Sequence, residues 1–338
     1  MATGKVVVIG AGAVGLLYAG AMAHVHPGQV TLVTRRQSAR QTLPPGVTLT
    51  WPDGPPSRVE RLDVRLPQEC PKVQADVALI AVAAYDSLEA GRIARSLLKP
   101  DGICITLQNG LDNQPAIAQS LGAARALQGA TSFPVHLPAA GEVSINSRGA
   151  TWLPPLDAAF GWLAPWLAEA GLNPSTIADP VALGWRKTAI ATNGYLSLIL
   201  ASPMGRAMQS DAARRVAEKA CLEILDVADA SDAVLDRDDV LRALRAAWTN
   251  SSPAARSSLY NDYIAGRRTE LDERLGAVIA RGAARGVPVP TLELLYLLAK
   301  ARLSLPAWGR KRRRGRSRNA AEEAARQGAG RIARNSPA

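Results

Sequence analysis

Aromatic residues, cysteines and long apolar runs are all scarce in this sequence. Aromatic side chains make up 4% of its 338 residues, and it has three cysteines. Cys70, Cys104 and Cys221 are far apart and lack the paired spacing of a metal site, so they predict reduced thiols rather than a disulfide framework. No apolar stretch is long enough to cross a bilayer, and the first residues lack the pattern of a secretory signal. We therefore expect a cytoplasmic protein without a metal site or a membrane partner.

Acidic residues are outnumbered, but the imbalance is local. The formal net charge is +11, yet residues 305–338 hold ten Lys/Arg and two Glu, and the rest of the chain carries only +3. The densest part, 310–318, has no apolar periodicity, and such charge runs are usually solvated and disordered. We expect a basic, disordered tail and no specific nucleic-acid partner. Nonspecific binding of RNA or a membrane by this tail is the alternative.

The stretch 5–24 combines an apolar strand, a glycine turn and an apolar helix. Its glycines have the GxGxxG spacing, in which the first makes the turn, the second lets the backbone approach a pyrophosphate and the third lets the helix pack on the strand. Free N–H groups at the helix start can then bind phosphate. The predicted cofactor loop consists of Gly10, Ala11, Gly12, Ala13, Val14 and Gly15.

The second predicted strand, 29–34, ends without an acidic residue. An NAD site usually has Asp or Glu about 20 residues beyond the glycines, whereas an arginine there suits the 2′-phosphate of NADP. Arg35 directly follows this strand. We therefore predict that Arg35 binds the 2′-phosphate and that the cofactor is NADP(H). A solvated pair of arginines at a strand end is the alternative.

Strands and helices continue to alternate through the first half. The apolar run 76–83 is typical of a buried parallel strand and 102–107 of the next one, while 47–51 and 58–66 predict short strands in an edge excursion. Asn109 follows the strand 102–107, at the edge where ligands of open α/β sheets bind. A turn asparagine before a glycine explains this position equally well.

From residue 181 onwards the apolar spacing is helical. Helices are predicted at about 181–200, 211–230, 237–248, 267–285 and 290–303. The fold class is therefore an α/β Rossmann N-terminal domain, at 1–180, followed by an all-α C-terminal domain, at 181–304, and the tail. We expect the active site in the cleft between the two domains.

Seven motifs occur in an order that resembles the ketopantoate reductase (2-dehydropantoate 2-reductase) family. They are GAGAVG (10–15), Arg35, LQNG (107–110), WRK (185–187), SSLYND (257–262), RRTELD (267–272) and ARGVPVPT (284–291). The resemblance covers about 4–303 and leaves the tail unmatched. WRK and the spacing of the later serine and glutamate are its specific part, because many enzymes share the glycine motif.

The resemblance implies an NADPH-dependent reduction of a 2-oxo acid. Lys187 matches the family's general acid, and Glu270 matches the glutamate that engages the substrate hydroxyl and the lysine. Ser258 matches a contact to the substrate carboxylate, and Asn109 a contact near the nicotinamide and the substrate. The chemistry is consistent, because hydride addition leaves negative charge on the carbonyl oxygen, which a positioned ammonium can stabilise and protonate. Taken alone, a surface lysine and a glutamate in a first helical turn are common.

Three residues depart from the family's pattern. Ala83 replaces the usual lysine after the fourth strand, and Ala191 and Tyr195 replace asparagines four and eight residues after the general acid. Asn193 lies on a different helical face, because neighbours along a helix are three or four residues apart. We predict that Ala83 lines the cofactor site and that Tyr195 and Asn193 line a substrate pocket that is less polar and differently shaped.

These observations favour a 2-oxo acid reductase over two alternatives. One is a family member repurposed in a biosynthetic pathway, for another carbonyl or imine substrate or for a non-redox reaction with NADP(H) retained. The other is a nucleic-acid or membrane-associated protein that works through its basic tail. The expected partner is a small-molecule 2-oxo acid or a related carbonyl compound, and a homodimer formed through the helical domain is a further expectation.

Overall fold

The computed structural model describes residues 4–35, 37, 41, 43–70 and 74–305. The basic run at 310–318 lies outside these residues. The first half contains the strands β1 (Val6–Ile9), β2 (Val30–Val33), β3 (Val47–Thr50), β4 (Ser57–Val59), β5 (Asp63–Arg65), β6 (Ala75–Ile80), β7 (Leu98–Thr106), β8 (Ala126–Gln128), β9 (Ala130–Thr131), β10 (Val135–His136), β11 (Glu142–Ile145), β12 (Thr151–Leu153) and β13 (Pro174–Thr176). Its helices are α1 (Ala13–Val25), α2 (Ser87–Leu97), α3 (Asn113–Leu121) and α4 (Leu163–Glu169).

The central sheet has six parallel strands in the order β5-β2-β1-β6-β7-β8. Numbered along the chain, these strands lie in the order 3-2-1-4-5-6 of a Rossmann sheet. The order reverses between β1 and β6, so a crevice opens beyond the carboxyl ends of these two strands. All four residues of β1 are buried, because helices cover both faces of the sheet, and this burial explains the continuous apolar run.

The two predicted edge strands divide between different sheets. β3 and β4 join β10 and β11 in a four-stranded sheet, whereas β5 pairs with β2 in the central sheet. The strand predicted at 58–66 is therefore interrupted, with the exposed Glu60 and Arg61 at the break. A third sheet, in the order β13-β12-β9, follows in the chain and faces the helical half.

In residues 180–305, the part that the structure describes after the boundary, the regular structure is helical, as predicted. The helices are α5 (Pro180–Ile190), α6 (Thr192–Ile199), α7 (Met204–Ala207), α8 (Asp211–Asp229), α9 (Arg237–Asn250), α10 (Ser258–Ala265), α11 (Ala277–Arg285) and α12 (Pro290–Ser304). They enclose a separate apolar core. Asp179 caps α5 by accepting the Ala182 N–H at 2.9 Å, and we propose that the domain boundary lies here. Within the described residues, none of the helices is both long and apolar enough to cross a membrane.

Two predicted helices are modified where they approach the other half of the chain. The helix predicted at 181–200 is divided at Ala191, whose N–H is shared between the carbonyl groups of Lys187 and Thr188 at 3.1 and 3.2 Å. The Thr-Asn-Gly sequence that follows has low helix propensity. The helix predicted at 267–285 starts later, and its first turn, Asp272–Gly276, is a π-helix. Such π-helical turns are frequent at functional sites.

Candidate active site

The glycine loop lies at the point where the strand order reverses. Gly10 has a φ of 120°, and a Cβ there would lie 2.7 Å from the carbonyl group of Ala81, so this position requires glycine. A Cβ on Gly15 would lie 1.7 Å from the carbonyl oxygen of Gly10. A Cβ on Gly12 would meet nothing within 4 Å. The first and third glycines therefore shape the turn, while the second faces open space.

The start of α1 is suited to bind a phosphate group. Gly12 is its N-cap, no side chain caps this end, and its first turn contains no acidic residue. Helix N-termini with free N–H groups attract anions. Ala11, Ala13 and Val14 are partly exposed at the same turn. The residues present therefore fit the pyrophosphate of a dinucleotide.

Arg35 extends from the end of β2 to Asp86. Its Nη2 atom lies 2.5 Å from Oδ1 of Asp86, and both side chains are partly exposed. Asp86 belongs to the short turn 84–86 that follows β6. Arg35, the predicted partner of a 2′-phosphate, is thus paired with the carboxylate of Asp86. A phosphate bound by Arg35 has to share this arginine with Asp86 or displace Asp86 from it.

The loop after β6 contacts the helical half at two points. The backbone N–H of Ala84 donates to Oε1 of Glu270 at 2.7 Å, and the guanidinium carbon of Arg268 lies 4.0 Å from the centre of the Tyr85 ring. Burial raises the pKa of Glu270, whereas Arg274 and the Ala84 N–H act in the opposite direction. Glu270 therefore joins the two halves of the chain.

Lys187 projects from α5 towards the third sheet. Its Nζ donates to the carbonyl oxygen of Thr131 at 2.6 Å and lies 5.8 Å from the centre of the Trp152 ring. Burial, together with the positive charge of Arg274, lowers the pKa of Lys187 to about 8. An ammonium group has three N–H donors, and Thr131 is its one hydrogen-bond acceptor among the described residues. Lys187 is thus equipped to donate a proton near neutral pH.

The expected contact between Lys187 and Glu270 is not formed. The lysine is bonded to the carbonyl group of Thr131 and the carboxylate to the N–H of Ala84. Both partners are backbone groups of the first half. The contact implied by the resemblance, and the roles of the two residues, stay predictions.

Arg274, in the π-helical turn, is a site residue that none of the sequence motifs indicates. It is 8% exposed, its Nη1 atom lies 3.3 Å from Oγ of Ser258, and its guanidinium carbon lies 5.8 Å from the centre of the Tyr195 ring. A signal was present, because Arg274 is three residues after Leu271 and four before Val278, both of them buried. That spacing puts a charged side chain on a core-facing position of a helix.

Tyr195 and Ser258 flank Arg274. Tyr195 is fully buried, and its hydroxyl group has no hydrogen-bond partner among the described residues. Burial raises the pKa of Tyr195, and the positive charge of Arg274 opposes this rise. Ser258 is the exposed first residue of α10, which Ser257 caps by accepting the Tyr260 N–H at 3.1 Å.

Asn109 lies in the loop after β7 with its side chain exposed. The preceding residue, Gln108, is buried and donates to the carbonyl oxygen of Val82 and to Oγ of Ser87, both at 3.0 Å. The motif LQNG therefore does two things. Gln108 fixes the loop ends after β6 and β7 relative to each other, and Asn109 is left facing outwards.

Asn193 has a partner outside the predicted pocket. It is 2% exposed, and its Oδ1 atom accepts the indole N–H of Trp248 in α9 at 3.0 Å. This contact favours a packing role. Its predicted role in substrate binding stays a prediction.

Two family models match the chain one after the other. "Ketopantoate reductase PanE/ApbA" matches residues 6–158, and "Ketopantoate reductase PanE/ApbA C terminal" matches residues 182–303. Together they account for most of the sequence. The chain belongs to the ketopantoate reductase family. This is a family of oxidoreductases, so the resemblance based on the motifs is confirmed.

Individual relatives agree with this assignment over nearly their full length. A 2-dehydropantoate 2-reductase of Halobacterium salinarum is 28% identical over 306 residues, which covers 88% of this chain and 98% of the relative. The structure of a PanE/ApbA family ketopantoate reductase from Ralstonia eutropha has a TM-score of 0.77 at 27% identity, with the same two coverages. The predicted order of a Rossmann half and a helical half is therefore confirmed.

The fold is also similar to that of a D-mandelate dehydrogenase solved with NADH and anilino(oxo)acetate. The TM-score is 0.80 at 24% identity, and the match covers 88% of this chain and 98% of that one. At this identity the likeness concerns the fold alone.

Proposed function

We propose that this member of the ketopantoate reductase family is an NADPH-dependent reductase of a 2-oxo acid. The observation that carries the proposal is the half-buried ammonium group of Lys187, whose pKa is lowered to about 8 and which contacts the first half of the chain through Thr131. A proton donor of this pKa matches the need of a carbonyl reduction near neutral pH. Family membership supports the same reaction.

The first half supplies the residues for the cofactor. The turn around Gly12 binds the pyrophosphate, and Arg35 binds the 2′-phosphate in competition with Asp86; the open space at Gly12 and the uncapped start of α1 support the first role. Ala83 and Asn109 lie in the loops that follow β6 and β7, on the side of the sheet where the nicotinamide is expected. Bound NADPH supplies a hydride to the carbonyl carbon.

The helical half supplies the groups that act on the substrate. Lys187 holds a proton at Nζ and delivers it to the carbonyl oxygen as negative charge develops there. Glu270, fixed by the Ala84 N–H, accepts a hydrogen bond from the hydroxyl group that forms. Ser258 contributes a hydroxyl group for the substrate carboxylate.

The shape of the pocket determines which 2-oxo acid is used. Ala83 and Ala191 are small and apolar, and Tyr195 brings an aromatic ring where the family has an amide. A site that loses hydrogen-bonding groups relaxes or redirects a preference that is worth up to about 10⁴–10⁵-fold. Ketopantoate is therefore a poor substrate, and a larger or less polar carbonyl or imine compound is preferred.

Steady-state NADPH consumption with ketopantoate and a panel of bulkier 2-oxo acids tests this proposal. The expected result is turnover of at least one bulkier acid, with a higher kcat/KM than for ketopantoate. A kcat/KM for ketopantoate of about 10⁴ M⁻¹s⁻¹ or more, above that of the bulkier acids, contradicts the altered preference. Absence of NADPH consumption with the whole panel contradicts the reductase and favours a repurposed family member.

A further inference from the structure

Arg274 is buried without an anionic partner. It is the one charged residue that is buried among those the structure describes, and it lies among apolar residues such as Leu271 and Leu275. Burial of an unpaired charge is costly. Within the described residues no carboxylate oxygen comes within 4.0 Å of its guanidinium group, and its side-chain hydrogen bond is to the neutral hydroxyl group of Ser258. The charge of Arg274 is near enough to Lys187 and Glu270 to lower the pKa of both.

The acidic residues closest to Arg274 in sequence are engaged elsewhere. Asp272 accepts from Tyr296 and Lys300 at 2.7 and 3.0 Å, and Glu273 pairs with Arg268 at 2.5 Å. Glu270 is near enough for Arg274 to lower its pKa, but its bonded partner is a backbone N–H. Apart from the N–H that Nη1 donates to Ser258, the donors of Arg274 are therefore left for an acceptor other than these carboxylates.

A second, independent observation comes from Tyr195. This residue is fully buried, its hydroxyl group has no hydrogen-bond partner in the described part of the chain, and its ring lies against Arg274. A buried hydroxyl group without a partner costs about 1–3 kcal/mol. The buried guanidinium group of Arg274 and the buried hydroxyl group of Tyr195 thus lie close to each other without an anionic partner among the described residues.

The charges point to a ligand with a single negative charge. Lys187 and Arg274 are positive and Glu270 is negative, so the cluster carries one excess positive charge. In the family's pattern the second positive charge comes from the lysine that Ala83 replaces. In this chain the second positive charge lies on the helical half, as the guanidinium group of Arg274, whose flat fork of N–H donors fits the two oxygens of a carboxylate.

We propose that Arg274, together with the hydroxyl groups of Ser258 and Tyr195, binds the carboxylate of the substrate and thereby selects 2-oxo acids over uncharged carbonyl compounds. This inference rests on the proposed function, because the carboxylate is that of the 2-oxo acid to be reduced. It adds a specificity-determining residue and fixes the orientation of the substrate, with the carboxylate towards α10 and the π-helical turn and the carbonyl group towards Lys187.

A 2-oxo acid and its uncharged methyl ester, which differ in charge and by one methyl group, test the inference. The kcat/KM values of 2-oxo-3-methylbutanoate and its methyl ester are measured for the native protein, Arg274→Gln, Arg274→Lys and the control Arg267→Gln. Arg267 is exposed in the same segment and pairs with Asp262 at 2.8 Å. Loss of one partner of a desolvated charge pair is expected to lower kcat/KM for the acid by about 10²-fold or more in Arg274→Gln, with less than about a fivefold change for the ester.

The other variants separate charge recognition from folding. Arg274→Lys keeps the charge but loses the fork, so about a tenfold loss is expected for the acid alone, while Arg267→Gln leaves both values unchanged. If the two Arg274 variants lose kcat/KM equally for the acid and the ester, Arg274 has a structural role and the inference is overturned. Unchanged kcat/KM values for both substrates overturn it as well. If circular dichroism shows that Arg274→Gln is unfolded, the test uses Arg274→Lys instead. The deciding quantity is then the kcat/KM for the acid divided by that for the ester, compared with the native protein.

Calorimetric titration of oxamate in the presence of NADPH separates this inference from the proposed function. Oxamate carries the carboxylate of a 2-oxo acid but is not reduced. If the native protein reduces no 2-oxo acid, the proposed function fails, yet oxamate binding that Arg274→Gln weakens by about 10²-fold still supports the carboxylate site. Equal binding by the native protein and the variant, or no binding by the native protein, overturns it.

Discussion

Arg35 and Asp86 form an ion pair between the end of β2 and the turn after β6, with 2.5 Å between the guanidinium nitrogen and the carboxylate oxygen. Both side chains are partly exposed, and ion pairs of this kind contribute about 0–1 kcal/mol. A 2′-phosphate has more negative charge and more acceptor oxygens than the carboxylate. A 2′-phosphate at this position would therefore compete with Asp86 for Arg35.

We expect Arg35→Ala to weaken NADPH binding by about tenfold or more and NADH binding by less than about threefold, because only NADPH offers a 2′-phosphate for charge-assisted hydrogen bonds. Fluorescence titration of both nucleotides measures the difference. Arg58→Ala is a matched control, since Arg58 is an exposed arginine paired with Glu60 in the other sheet region. Equal losses for the two nucleotides contradict the assignment of Arg35.

The opposite effect is expected from Asp86→Asn. Removal of the competing carboxylate releases Arg35, so NADPH binds up to about fivefold more tightly while NADH binding is unchanged. The ratio of the two dissociation constants is the quantity to measure. A weaker affinity for NADPH shows instead that Asp86 positions Arg35 for the phosphate.

Lys187→Ala should lower kcat by about 10²–10⁴-fold, the usual effect of losing a positioned acid, with nearly unchanged NADPH affinity. Lys219→Ala, at an exposed position of α8, serves as the control. Turnover retained in Lys187→Ala excludes the general-acid role and leaves Lys187 as a structural residue.

The pH profile reports the same group independently. The acid must be protonated, so kcat/KM is expected to be level below about pH 8 and to fall above it, because the pKa of Lys187 is lowered from 10.5 to about 8. The charge of Arg274 contributes to this lowering, so the falling limb moves to higher pH in Arg274→Gln. If kcat/KM of this variant falls at the same pH as in the native protein, Lys187 and Arg274 are not electrostatically coupled.

Asn193→Ala distinguishes packing from substrate binding. It leaves the indole N–H of Trp248 without its acceptor, so unfolding free energy is expected to fall by about 1–3 kcal/mol, with little change in KM. Trp248→Phe removes the other partner, and the double variant should cost less than the sum of the two single variants. A large increase in KM with an unchanged free energy of unfolding shows instead that Asn193 binds the substrate.

The first half of the chain was predictable because its signals are local. β1, the glycine turn and α1 each follow from neighbouring residues, and Gly10, Gly12 and Gly15 have distinct steric settings that match their expected roles. The sheet membership of β5 was not predictable, because strand pairing depends on residues far away in sequence.

The site was predictable only in part. Lys187 and Glu270 stand out through motifs, but their partners are the carbonyl group of Thr131 and the N–H of Ala84, and a backbone group has no residue type to recognise. Arg274 lacks a motif because its role arises from the meeting of α6, α10 and a π-helical turn. The break at Ala191 likewise results from weak helix formers in tertiary contact.

The hydrogen bond from Ala84 to Glu270 has a consequence for how this enzyme can diversify. The donor is a main-chain N–H, so this hydrogen bond does not depend on which side chains the loop after β6 carries. Position 83 can then carry either the lysine of the family's pattern or alanine, and the charge near the substrate changes accordingly. The hydrogen bond from the Ala84 N–H to Glu270 can form in both cases. Substitutions in this loop can therefore change the substrate preference of the enzyme while the hydrogen bond between Ala84 and Glu270 is kept.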